Sequence, residues 1–135
     1  MKAEQLISLA KEAMLHAYAP YSGFRVGAAL LCKDGTVYQG CNIENAAYGP
    51  TNCAERTAIF KAVYDGHREF TAIAVCGGQD GRLTASCPPC GVCRQVMREF
   101  CGDDFTVYLA GADDTYETLT LAQLLPHSFP AASRR

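Results

Sequence analysis

The sequence contains little charge and no long hydrophobic run. Only 19% of its 135 residues are charged, and 12 basic against 14 acidic side chains give a formal net charge of −2. No stretch reaches the ~18 apolar residues of a membrane-spanning helix, and no basic run is present to hold nucleic-acid phosphates. Membrane and nucleic-acid partners are therefore not expected. A charged fraction below the usual ~25% fits a surface that other subunits partly cover.

The N-terminal segment also lacks the uninterrupted apolar region of a secretory signal, because Glu4, Lys11 and Glu12 divide it. A cytoplasmic location is therefore expected. There the eight cysteines are expected to be thiols, used for metal binding, catalysis or packing rather than in disulfides. The chain has no internal repeat and no linker, so one domain over residues 1–135 is expected.

Helical and strand-like hydrophobic patterns alternate along the chain. The Asp34-Gly35 dipeptide predicts a tight hairpin turn, and the short interval before the last strand excludes a parallel crossover there. The sequence therefore predicts a three-layer α/β/α fold around a mixed, mostly five-stranded sheet. The predicted helices span 3–17, 53–65, 90–101 and 121–125, and the predicted strands span 26–32, 36–42, 70–76, 105–110 and 116–118.

Three cysteines lie where two predicted helices begin, namely Cys53, Cys90 and Cys93. Residues three apart share a helix face, so Cys90 and Cys93 can bind one ion, and the positive end of a helix stabilises thiolates. Three thiolates indicate Zn²⁺ with one position left for water, as in catalytic sites. Two alternatives stay open: Cys87 as a fourth ligand of a structural zinc, and the Cys90-x-x-Cys93 pair as a redox motif.

Glu55 follows Cys53 by two residues and has two interpretations. It can be the capping partner of Asn52 at the start of a helix, or it can carry protons beside a zinc site with an open position. The other cysteines are expected to serve packing, and the histidines are not expected to be ligands. They are Cys32, Cys41, Cys76 and Cys101, and His16, His67 and His127.

The order Cys53-Ala54-Glu55 and then Pro89-Cys90-x-x-Cys93 resembles the zinc-dependent cytidine deaminase superfamily. Further segments, in the same order along the chain, resemble the small homotetrameric cytidine deaminases. These segments are 19–30 (APYSGFRVGAAL), 40–48 (GCNIENAAY), 53–58 (CAERTA), 90–95 (CGVCRQ) and 124–129 (LLPHSF).

The resemblance implies a cytidine deaminase-like fold, a homotetramer, and one Zn²⁺ per subunit held by Cys53, Cys90 and Cys93. It implies a hydrolase acting on a cyclic amidine, which converts cytidine and deoxycytidine to uridine and deoxyuridine with release of ammonia, a reaction of pyrimidine salvage. Zinc would activate water, and Glu55 would shuttle protons. Arg56, beside the ligand-bearing turn, is the candidate donor to the thiolates, and the alternative is an ordinary surface arginine of the helix.

The resemblance also implies how a nucleoside is bound. Phe24 would stack on the pyrimidine, Asn42 and Glu44 would bind the ribose 3′-hydroxyl, and the backbone carbonyl of Ala54 would contact the base. Without the resemblance, Phe24 is interpreted as core packing and Asn42 as a turn residue. The residues expected to reach a neighbouring subunit's site are Ala46, Tyr48 and Phe129.

Two rival functions remain. The first is a deaminase acting on a polynucleotide, a nucleotide or an aminopyrimidine antibiotic. The acidic composition disfavours a polynucleotide, and Glu44 would repel a substrate phosphate, so a free nucleoside is favoured. The second is a zinc-binding module without activity, in which Cys87 completes the metal shell.

Overall fold

Nine regular elements follow one another in the computed structural model, which describes residues 1–84 and 86–132. Helices and strands alternate as the hydrophobic pattern predicts. Within the described residues, every helix falls short of the length and apolar character that crossing a bilayer requires. The elements are α1 (Ala3–Met14), β1 (Phe24–Cys32), β2 (Val37–Cys41), α2 (Ala54–Tyr64), β3 (Phe70–Gln79), α3 (Gly91–Phe100), β4 (Thr106–Ala110), β5 (Tyr116–Thr120) and α4 (Leu121–Leu124).

The five strands form one mixed sheet in the order β2-β1-β3-β4-β5. Only β3 and β4 are parallel, and α3 makes the crossover between them; β1–β2, β1–β3 and β4–β5 are antiparallel. The hairpin at one edge and the antiparallel strand at the other confirm the predicted sheet. The capping box of α4 is also confirmed, because Thr120 and Gln123 bond each other's backbone and side chain.

Helices cover both faces of the sheet, as predicted. Alternate residues of β1 serve the two layers: Ala28 and Leu30 pack with α2 and α3, whereas Ala29 packs with α1. Two glycines allow the helices to approach closely. A β carbon at Gly27 would overlap the backbone of α1, and one at Gly40 would overlap the backbone of α2. These contacts bring the N-terminus of α2 onto the sheet.

Several predicted boundaries differ from those observed, and the larger differences arise where backbone pairing between distant residues overrides the local pattern. Helix α1 ends at Met14 rather than at 17, since Tyr18 forms a bridge with Ile43. Strand β1 begins at Phe24 rather than at 26, and β3 ends at Gln79 rather than at 76, because Phe24 pairs with Gln79. The N-cap of α2 is Cys53 rather than Asn52.

Candidate active site

Three thiol groups meet at the N-termini of α2 and α3. Cys53 and Cys90 are the N-cap residues of these helices, and Cys93 lies in the first turn of α3. The Cys90 sulfur is 3.7 Å from that of Cys53 and 3.5 Å from that of Cys93, and all three lie within 4.8 Å of one another. Around a tetrahedral zinc with Zn–S bonds of about 2.3 Å, sulfurs are separated by about 3.8 Å. The cluster therefore fits a zinc ion by both donor type and spacing.

The surroundings of the cluster stabilise negative charge on sulfur. Arg56 donates from Nη2 to the Cys53 sulfur over 3.2 Å, and the backbone N–H of Cys93 points to the Cys90 sulfur at 3.5 Å. Hydrogen bonds from Cys93 and Arg56 lower the pKa of Cys53. The pKa of Cys93 is raised by its hydrogen bond to Cys53 and by its burial. The contacts of Cys53 thus favour its thiolate form. A bound cation would favour deprotonation of all three thiols.

Glu55 is a buried carboxyl group beside the cluster, with only 3% of its surface exposed. Burial raises the pKa of Glu55 to about 7, and the nearby negative charge of Cys53 acts in the same direction. The capping interpretation is not supported, because the Asn52 side chain instead donates to Thr57 Oγ1 at 3.2 Å. A carboxyl group whose pKa is near neutrality is suited to both accepting and donating a proton.

Cys87 does not belong to the thiol cluster of the described residues. It is half-buried and packs against the main core. Burial raises the pKa of Cys87 to about 12, and the charge of Glu55 contributes to that shift. Cys87 is thus close enough to Glu55 to be affected by its charge, but it is not positioned as a fourth metal ligand.

Asn42 extends the sheet beyond the end of β2 through its side chain. Its Oδ1 accepts from the Val26 N–H at 2.9 Å, and its Nδ2 donates to the Phe24 carbonyl at 2.8 Å. These bonds use one of the two Nδ2 hydrogens, so one remains for a ligand. Asn42 therefore holds the start of β1 in place, including the backbone of Phe24, and it is also a candidate binding residue.

Glu44 is held in place by the turn that precedes β1. Its Oε1 accepts from the backbone N–H groups of Tyr21 and Ser22 at 3.0 and 3.1 Å, and its Oε2 accepts from the Ser22 hydroxyl. These bonds lower the pKa of Glu44 and keep it ionised, and those from Ser22 have the largest effect. Gln79 in turn donates to the Ser22 carbonyl at 2.8 Å. Sequence reasoning assigned no role to Ser22 or Gln79, although Ser22 lies two residues before Phe24.

Backbone bridges join the nucleoside residues to the thiol cluster. Ile43 and Asn52 exchange two hydrogen bonds of 2.9 Å, which closes the loop between them and places Asn42 and Glu44 near Cys53. On the other side, Tyr18 bonds the backbone of Asn42 and Glu44. The predicted substrate residues and the predicted metal ligands are thus held in one region of the fold.

Ala54 presents its backbone differently from the sequence-based expectation. It is the first residue of α2, it is fully buried, and its carbonyl oxygen lies against Gly40. Helical carbonyls point toward the C-terminus and N–H groups toward the N-terminus. The group that Ala54 directs toward the cluster end of the helix is therefore its N–H rather than its carbonyl.

The residues predicted to reach a neighbour are on the surface. Ala46 is exposed, and Tyr48 and Phe129 expose 96% and 66% of their surface. Helix α4 and the tail after it are fixed to α3 by two side chains that follow Cys93. Gln95 donates to the Phe129 carbonyl at 2.9 Å, and Arg94 donates to the Leu124 carbonyl at 2.6 Å. Arg94 and Gln95 belong to the segment 90–95 that resembles the family, but only the fold shows that they bond the C-terminal region.

Comparison with known proteins agrees with the geometry. Residues 1–109 match the family described as "Cytidine and deoxycytidylate deaminase zinc-binding region". The chain is 54% identical to a cytidine deaminase of Sporosarcina psychrophila over 129 residues, covering 96% of this chain and 92% of that protein. It is 51% identical to one of Halalkalibacterium halodurans over 131 residues, covering 97% and 96%.

A solved structure gives the same result for the fold. The crystal structure of cytidine deaminase from Burkholderia pseudomallei superposes with a TM-score of 0.89 at 47% identity, covering 96% of this chain and all of that one (100%). The predicted fold class is thereby confirmed. With its matching zinc-binding region and its cluster of three thiols, the chain belongs to the cytidine deaminase family of zinc-dependent hydrolases.

Proposed function

We propose that this chain catalyses the hydrolytic deamination of cytidine and deoxycytidine to uridine and deoxyuridine, with release of ammonia. The observation that carries the proposal is the buried carboxyl of Glu55 beside three clustered thiols at the N-termini of two helices. Residues 1–135 would form one catalytic domain that acts in pyrimidine salvage in the cytoplasm.

Cys53, Cys90 and Cys93 would hold the zinc ion, one per subunit. When bound, zinc acts as a Lewis acid that lowers the pKa of water and so supplies a nucleophile at neutral pH. Three thiolate ligands outweigh the charge of the ion by one unit. Arg56 and the two helix N-termini offset this excess negative charge and thereby keep the site an effective acid.

Glu55 would move the protons of the reaction. It accepts a proton from the attacking water, whose oxygen forms a bond to C4 of the pyrimidine. It delivers that proton to N3, then takes the remaining proton from the new hydroxyl on C4 and delivers it to the exocyclic nitrogen, and the C4–N bond breaks to release ammonia. Water and cytidine are thereby converted to uridine and ammonia, with Glu55 returned to its initial state. Burial keeps the pKa of Glu55 near that of a useful acid and base.

The nucleoside would be oriented by four residues. Phe24 stacks on the base, and Ala54 binds the base through its backbone. The ribose 3′-hydroxyl is bound by the remaining Nδ2 hydrogen of Asn42 and by the carboxylate of Glu44. The N–H of Ala54 suits the acceptor oxygen O2 of the base. The ionised Glu44 favours a neutral nucleoside over a nucleotide, because a substrate phosphate would be repelled.

A homotetramer with shared sites completes the proposal. Ala46, Tyr48 and Phe129 would reach into a neighbour's site. Exposed apolar side chains at α2 and α3 support association, because contiguous apolar surface marks interaction sites. They include Phe60, Tyr64 and Val92.

The test is a spectroscopic assay of cytidine consumption by the zinc-loaded enzyme. Cytidine and deoxycytidine are expected to lose the absorbance of the amino-pyrimidine, whereas cytidine monophosphate reacts much more slowly. A zinc chelator should abolish turnover, and added zinc should restore it. No consumption of either nucleoside by zinc-loaded enzyme would contradict the proposal, and a faster reaction with the monophosphate would contradict the assignment of Glu44.

A further inference from the structure

A second group of metal-binding side chains lies at the tip of the β1–β2 hairpin. The sulfur of Cys32, a carboxylate oxygen of Asp34 and a ring nitrogen of His67 all lie within 4.8 Å of one another. Cys32 ends β1, whereas Phe24 begins it. At about 3.3 Å per residue, roughly 26 Å of strand separates this group from the nucleoside-binding end. The group is therefore distinct from the active site.

Backbone hydrogen bonds hold the three contributing segments. The Cys32 N–H donates to the Thr36 carbonyl at 2.8 Å, and the Thr36 N–H donates to Asp34 Oδ1 at 3.0 Å. The His67 N–H donates to the Ala62 carbonyl at 3.0 Å, at the end of α2. The backbone of the three segments is thus fixed by the turn and by the helix terminus, which lowers the conformational entropy lost on binding an ion.

The imidazole is positioned from one side and left open on the other. The Tyr38 ring packs edge-to-face on it with centroids 5.4 Å apart, and the Tyr38 hydroxyl donates to Asp65 at 2.7 Å. His67 Nδ1 is 3.7 Å from Asp34 Oδ2, which is longer than a hydrogen bond. The nitrogen and the carboxylate oxygen thus face each other at a separation that two ligands of one ion adopt.

We propose that Cys32, Asp34 and His67 bind a second divalent ion of the zinc type. Thiolate, carboxylate and imidazole are the ligand types that Zn²⁺ accepts, and the sulfur and nitrogen donors disfavour Mg²⁺ and Ca²⁺. One thiolate and one carboxylate balance the charge of a divalent ion. Asp34 is exposed and His67 partly exposed, which gives the ion a path from solvent.

The ion would connect the hairpin tip to the segment between α2 and β3. It would thereby stabilise the folded chain without taking part in the reaction. The sequence predicts only a packing role for Cys32 and no ligand role for His67, because 35 positions separate them. Only the closing of the sheet brings the two side chains together.

The experiment measures zinc bound per chain at buffered free zinc concentrations, on the zinc-loaded full-length enzyme. Wild type is expected to bind two ions, the second more weakly, and its melting temperature should rise as the second site fills. His67→Gln and Cys32→Ala should each retain one ion, normal cytidine turnover and no second rise in melting temperature. His16→Gln and Cys76→Ala are matched controls outside the cluster and should bind two.

A wild-type chain that saturates at one zinc overturns the proposal. So does a second ion that persists in both His67→Gln and Cys32→Ala, since it would then bind elsewhere. Turnover by each variant confirms that it is folded. If the buried substitution Cys32→Ala prevents folding, His67→Gln decides the outcome, because its side chain is partly exposed.

Discussion

Arg56 donates from Nη2 to the sulfur of Cys53 across 3.2 Å, within the first turn of α2. The same guanidinium has its Nε buried without a hydrogen-bond partner among the described residues. A buried polar atom left unpaired is unfavourable, so this arginine is not an ordinary surface residue of a helix. Its position indicates a role in holding and charge-balancing the Cys53 thiolate.

Arg56→Gln is therefore expected to weaken zinc binding and turnover by about 10- to 100-fold, the usual effect of removing a group that supports a metal ligand. Zinc competition with a chromophoric chelator gives the affinity, and the cytidine assay gives turnover. Arg82→Gln, at an exposed arginine, is the control and should change neither. Unaltered zinc affinity in Arg56→Gln would show that the contact is incidental.

Glu55→Gln is expected to lower kcat by at least about 10²–10⁴-fold, because general acid–base groups contribute on that scale. Zinc content should remain at one catalytic ion, and stability should not fall, since burying a neutral amide is less unfavourable than burying a carboxylate. Glu12→Gln on the exposed side of α1 serves as control. Near-normal kcat in Glu55→Gln would remove Glu55 from the chemistry.

Cys87→Ser is expected to leave catalytic zinc and turnover nearly unchanged, because the Cys87 thiol lies outside the cluster of three. Cys90→Ser, the matched substitution inside the cluster, should lose zinc and activity together. Metal analysis combined with the cytidine assay separates the two cases. Loss of zinc in Cys87→Ser would instead support a structural zinc site in which Cys87 is the fourth ligand.

Asn42→Ala is expected to destabilise the fold by about 2–6 kcal/mol as well as raising KM, because two backbone groups lose their partner and each costs about 1–3 kcal/mol. The groups concerned are the Val26 N–H and the Phe24 carbonyl. Denaturant unfolding measures the first effect. Asn45→Ala, in the exposed loop, should lower the free energy of unfolding by less than half as much. Equal losses in the two variants would contradict the role of Asn42 in holding β1.

Phe129→Ala is expected to raise KM roughly three- to tenfold with little change in kcat, since a stacking contact contributes about 0.5–1.5 kcal/mol. The split between KM and kcat follows because uniform binding is lost rather than a contact specific to the transition state. Steady-state kinetics with cytidine measures both constants.

Mixing Phe129→Ala with Glu55→Gln subunits tests whether the site is shared. In hybrids, a Glu55→Gln subunit can supply an intact Phe129 to a neighbour that has Glu55. Sites of low KM, present in neither parent, are then expected. Hybrids with only the high KM of Phe129→Ala would show that Phe129 acts within its own subunit.

Local signals were sufficient for the elements whose stabilisation is local. The Asp34-Gly35 turn and the Thr120 and Gln123 capping box both occur as predicted. Boundaries failed where distant partners act. Helix α1 ends before the predicted 17 because Tyr18 pairs with Ile43, and β1 begins at Phe24 because Phe24 pairs with Gln79. Such backbone pairing between distant residues outweighs weak local propensity.

The sequence by itself determined the layered α/β fold and the candidate chemistry, since helix N-termini, thiol spacing and an adjacent glutamate are encoded within a few residues. The tertiary structure alone decided that Cys87 stays outside the thiol cluster, how Asn42 bonds β1, how Ser22 and Gln79 hold Glu44, and that Cys32 lies beside His67. These relations join residues far apart in the chain, and only the closing of the sheet and the packing of helices on it bring such side chains into contact.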